Sequence, residues 1–68
     1  MKITYFEDTD TAHIVFANTD PVETREMSEN MYVDIDAAGN PVSMTIEHAK
    51  TSGALTKLEY EQVAAHIA

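Results

Sequence analysis

Asp34, Asp36 and Gly39 are spaced D-x-D-x-x-G, the opening of a calcium-binding loop. Such a loop draws oxygens from its first, third, fifth, seventh, ninth and twelfth places, with glycine at the sixth. Counted from Asp34, the fifth place is Ala38, which has no side-chain oxygen, and the twelfth is Thr45, where a bidentate glutamate is required. The motif also needs helices on both sides, and both flanks here alternate like strands. A hairpin explains more of the residues. Asp34 and Asp36 stand on the outward face of a strand whose inward side chains are Val33 and Ile35. Asp36-Ala37-Ala38 suits a type I turn, and Gly39 supplies the left-handed residue of the adjoining bulge. The Asp36 carboxylate can cap that turn. The stretch is therefore expected to be a hairpin, with no metal site assigned.

Other reactive side chains are present but not arranged for chemistry. His13, His48 and His66 fall on a strand, a strand end and a helix end, without the i, i+4 spacing of a zinc-binding helix. His66, in a last helical turn, would complement the helix dipole. Ser28, Ser43 and Ser52 lie outside any nucleophile-elbow pattern. The pairs Asp8/Asp10 and Asp34/Asp36 lie in polar breaks or on an outward face, where nothing moves a carboxyl pKa toward acid–base work. Two glycines, Gly39 and Gly53, cannot make a phosphate-cradling loop. No catalytic residue, cofactor or metal ligand is expected, and the protein reads as non-enzymatic.

The chain has 68 residues, no cysteine and a net charge of −8, from 4 basic and 12 acidic side chains. A single domain of this size, spanning 1–68, buries only about 60% of its unfolded surface and is marginally stable. Disulfides and thiolate metal sites are excluded. The acidity opposes binding to nucleic acid, for want of a Lys/Arg cluster to meet phosphates. The first apolar run, ITYF, is too short for an export signal, which needs roughly 7–15 apolar residues. No stretch approaches the roughly 20 residues of a membrane span. A cytoplasmic location is expected.

Period-two alternation argues for strands over about residues 2–6, 11–17, 22–28, 31–36 and 42–48. The breaks are short, and parallel strands need a crossover of about a dozen residues, so the strands are expected to be antiparallel neighbours in a five-stranded meander. Beyond Gly53 the period changes. Thr56-Lys57-Leu58-Glu59 has the form of a capping box, and Tyr60, Val63, Ala64 and Ile67 recur at helical spacing. A helix over about 57–67 is expected, packed on the sheet face formed by Ile3, Ile14, Phe16, Val33, Ile35, Met44 and Ile46. The expected class is α+β.

Several of these residues together carry a resemblance. Tyr5 and Asp10 as Y-x-x-x-x-D, Ile14 and Phe16 as I-x-F, then V-E-T-R-E and V-D-I-D-A-A-G-N-P-V resemble a bacterial domain-of-unknown-function family, number twenty-two eighty-three, over roughly residues 1–50. The chain departs from that pattern at Phe6, where an acidic residue is usual, and at Ala12, where a larger aliphatic is. The resemblance implies a small β-rich fold and carries no activity, cofactor or catalytic residue. An association of some members with toxin-like partners suggests an antitoxin role.

One feature bears on function. With one sheet face under the helix, the other carries Phe6, Val15, Met27 and Tyr32. If clustered, they would form an association surface, and a two-fold homodimer would relieve the marginal core. The leading reading is a small acidic interaction module that self-associates through sheet face or edge. The second is an antitoxin-like partner for a basic protein, and the third is a weak metal binder.

Overall fold

A computed structural model describes residues 1–65. Five strands form one antiparallel sheet: β1 (Lys2–Phe6), β2 (Thr11–Val15), β3 (Pro21–Ser28), β4 (Met31–Asp36) and β5 (Pro41–Ile46). Their order across the sheet is β1-β2-β5-β4-β3. Hairpins join β1 to β2, β3 to β4 and β4 to β5, and β5 closes the sheet by pairing with β2. The expected meander is thus corrected to a Greek-key-like order, with β3 sent to the far edge.

The β2–β3 link explains how. Residues 16–20 can reach about 20 Å when extended, more than the roughly 14 Å of three strand spacings. Phe16 and Ala17 donate their backbone N–H groups to the Val42 carbonyl, at 2.8 and 3.2 Å, as the link passes the end of β5. Thr19 then donates its hydroxyl to the Asp36 carboxylate at 3.1 Å, past the end of β4. A short connection need not be a hairpin when it runs across strand ends.

Cross-strand register sorts the side chains, because residues directly opposite share a face. Ile3 lies opposite Ile14, Ile14 opposite Met44 and Met44 opposite Val33. In the next row, Tyr5 pairs with Ala12, Ala12 with Ile46 and Ile46 with Met31. This is the first face, and the expected alternation of β1, β2, β4 and β5 is borne out on it. Phe16 lies beyond β2 and is largely exposed. The second face carries Thr4, His13, Thr45 and Tyr32 in one row and Lys2, Val15, Ser43 and Asp34 in the next.

The expected helix is absent among the described residues, and their fold is all-β. Residues 57–65 have no regular secondary structure, and positions 66 and 67 of that helix, with His66, lie outside the described residues. Two causes are visible. A segment of about 11 residues cannot hold a helix without an apolar host. The host row is already covered by the chain following β5: Ala49 is fully buried against Ala12 and Ile46, and Leu55 packs beside them. The tail contacts are those of extended chain. Lys57 pairs with Glu59 at 2.7 Å and Tyr60 donates to Gln62 at 3.3 Å, both two residues apart, where helical side chains do not face each other. Glu59 therefore serves Lys57 rather than a capping box.

The core is thin. Ala12, Ile35, Val42, Ile46 and Ala49 are its buried apolar residues, and no large side chain is fully buried among the described residues. The accessible surface is 5463 Å², against about 4,200 Å² for a compact chain of this mass. The radius of gyration is 14.2 Å, against about 11 Å expected for a globule of this length.

Candidate functional site

Asp10 sits at the end of the β1–β2 hairpin with φ at 53°, a left-handed conformation that Asp adopts more readily than most residues. That geometry turns its carboxylate toward the chain after β5. It accepts from the Lys50 N–H at 2.9 Å, the Thr51 N–H at 3.1 Å, the Thr51 hydroxyl at 2.7 Å and the Tyr5 hydroxyl at 2.7 Å. The Asp10 carbonyl accepts from the Ala49 N–H at 2.8 Å. The Lys50 ammonium lies 4.6 Å from the Tyr5 ring centroid, a cation–π contact. The donors, with the Lys50 N–H first, hold the Asp10 carboxyl well below the usual carboxylate range. The Tyr5 phenol, giving its proton to an anion, is pushed up to about 12. An acid held ionised and a phenol held neutral are structural ties, and this knot fastens the C-terminal chain to the sheet.

Asp34 and Asp36 do different work. The Asp34 carboxylate, on the second face, accepts from the hydroxyls of Thr24 and Ser43, which together bridge β3, β4 and β5 and lower its pKa. Asp36 caps the β4–β5 turn as expected. Its carboxylate accepts from Asn40 at 2.9 Å and Ala38 at 3.0 Å, and its carbonyl accepts from the Gly39 N–H at 3.0 Å. Gly39 has φ at 86°, the left-handed residue the turn demands. The Asn40 N–H is the first cause lowering the Asp36 pKa. Among the described residues, no three His, Cys, Asp or Glu groups converge as a metal cage. His13 stands opposite Thr4 and Thr45, while His48 occupies a turn with φ at 52° and accepts from Ser52 through its carbonyl.

The register spreads out the four side chains singled out as an association surface. Phe6 and Val15 lie at opposite ends of the β1–β2 hairpin on the second face, with the Thr4–His13 row between them. Tyr32 lies two strands from His13, beyond Thr45. Met27 falls in an irregularity of β3, without a cross-strand partner. The Tyr32 phenol is raised chiefly by the Glu47 charge, then by burial and by Glu26 and Glu29.

What alternation could not display is the contrast between the two sheet edges. The β3 edge is guarded: it opens on Pro21, breaks register near Val22 and Met27, and carries Glu23, Arg25 and Glu26. Each is a device that discourages strand addition. β1 keeps an unbroken register with β2 over all five residues. No backbone hydrogen bond is made to the outer side of β1 by residues 56–65. Beside it, Ile3, Tyr5, Leu55 and Leu58 line a groove of about 310 Å³ between sheet and tail.

A family model described as "Protein of unknown function (DUF2283)" matches residues 2–50. The chain belongs to this family. No curated protein and no solved structure matches the chain. The DUF2283 match begins with β1 and ends at Lys50, the residue whose N–H reaches Asp10. The DUF2283 match thus covers the five strands with Tyr5, Asp10 and Lys50, while Thr51, which supplies two more donors to Asp10, and the tail lie beyond it. In the sequence, Tyr5 and Asp10 stand out only as the Y-x-x-x-x-D pair that carries the family resemblance. The separation of 40 positions between Asp10 and Lys50 hides their contact. No helix of the described residues is long and apolar enough to cross a membrane.

Proposed function

We propose that this DUF2283 protein is a non-enzymatic interaction module that self-associates through the edge of its sheet. The observation that carries this reading is that β1 has neither proline nor a register break, whereas β3 has both. An exposed edge strand is a template for another strand. The thin core supports it, because a sheet with only small or few buried apolar side chains gains stability from a partner. The engaged carboxylates of Asp10, Asp34 and Asp36 support the non-enzymatic part, since each spends its oxygens on fastening the chain.

Sedimentation velocity from about 1 to about 200 µM, bracketing micromolar affinity, tests the reading. The expected result is a concentration-dependent shift from the 7.5 kDa chain to twice that mass. A monomer at every concentration would overturn it. A basic protein partner is the second reading, favoured by the carboxylates of Glu26, Glu29 and Glu47 around Tyr32.

A further inference from the structure

We infer that two copies pair β1 with β1 in antiparallel register about a two-fold axis centred on Thr4, giving one continuous ten-stranded sheet. The inference rests on the self-association proposed above and names its surface. A two-fold interface must be self-complementary, each residue i meeting j while j meets i. Few registers of the segment Lys2–Phe6 satisfy that chemically. Centring on Thr4 does so at every position. Thr4 meets its own copy, and Ile3 meets Tyr5, an aromatic–β-branched pair; both pairings stabilise antiparallel sheets. Lys2 meets Phe6, placing an ammonium against an aromatic ring, with Glu7 of the other copy next along the chain.

The last pair gives Phe6 a reason to be apolar and 48% exposed. The ladder partners of Lys2 and Phe6 on β2 are Val15 and Thr11, so neither has a charged or aromatic neighbour across the strand within its own chain. The charges along the edge are ordered to match: Lys2 stands at one end of β1, and Glu7 and Asp8 follow the other. Antiparallel pairing brings unlike ends together, whereas parallel pairing would stack like upon like.

The absence of cysteine makes the register directly readable. In a Thr4→Cys variant, the thiols meet at the axis within the Cα separation a disulfide spans, about 4.4–6.8 Å. The expected result is rapid disulfide-linked dimer under mild oxidation, and none from Thr24→Cys on the opposite edge. Lys2→Glu should weaken dimerisation about tenfold, because symmetry counts the loss twice, and Lys2→Arg, which keeps a cation against the Phe6 ring, should retain most of the affinity. A wild-type dimer whose Thr4→Cys form does not cross-link, or whose affinity ignores Lys2→Glu, overturns the β1 register while leaving self-association standing. A wild-type monomer overturns both. Circular dichroism of each variant, showing the wild-type β signal, separates weakened pairing from failure to fold.

Discussion

Asp10 ties the β1–β2 hairpin, the Tyr5 phenol included, to the chain after β5, 40 and 41 positions away. Its pKa is lowered in the folded state, as are those of Asp34 and Asp36. A lowered folded pKa means stability that is fully present above the unfolded value, near 4. That stability is lost as pH falls through the folded value. Thermal melts of the wild type should therefore show a falling midpoint from about pH 5 downward. Asp10→Asn should melt below the wild type at pH 7 and lose less on acidification; an unchanged acid slope would count against the knot. Tyr5 has the opposite sign. Its pKa is raised to about 12, so its contribution holds below the ordinary value and is lost as pH rises toward 12. Gly39 makes a purely conformational case. A Cβ there meets nothing within 4 Å, but φ is +86°. Gly39→Ala should cost about 1 kcal/mol from backbone strain alone, and Gly39→Asn less, by chemical denaturation.

Among the elements, β5 and the tail differ most in what they bury. Ile46 is 8% exposed and packs with Ala12 and Ala49. Ile46→Ala should cost about 2–3 kcal/mol, the lower part of the usual range because a thin core collapses readily, and lower the melting midpoint by roughly 10 °C or more. Val63 is 65% exposed, so Val63→Asp should stay within about 0.5 kcal/mol. A large loss at Val63 would mean the tail packs after all. The contrast shows what was legible. Alternation revealed the strands and their inward residues, because a half-buried strand repeats every two positions whatever its neighbours. The β4–β5 turn was legible because Asp36 and Gly39 are local choices. Strand order was not, since five residues from Phe16 to Asp20 permit a hairpin or a crossing of the strand ends equally well. The helix misled because Tyr60, Val63, Ala64 and Ile67 show only which face a helix would bury. They do not show that Ala49 and Leu55 already occupy the host. The edge contrast needed strand order before either edge could be recognised as one.

At the scale of the whole molecule, charge decides how the proposed dimer responds to salt. Each copy carries −8, and edge pairing sets the two sheets about 24 Å apart, centre to centre, at five strand spacings. Treated as point charges in water, the copies repel by roughly 3 kcal/mol at about 0.02 M salt, where the Debye length is near 20 Å, and by under about 1 kcal/mol at 0.15 M. Opposing this are two exposed Lys2 contacts, each worth at most about 1 kcal/mol and also screened. The general repulsion is the larger quantity at low salt and the one more relieved by adding it. Dimerisation should therefore tighten, by about tenfold, between those two salt concentrations in sedimentation equilibrium. A basic partner would behave in the opposite sense, since its attraction to the Glu26, Glu29 and Glu47 fringe weakens with screening. Association that loosens with salt would thus point away from a second copy of the chain and toward a cationic protein.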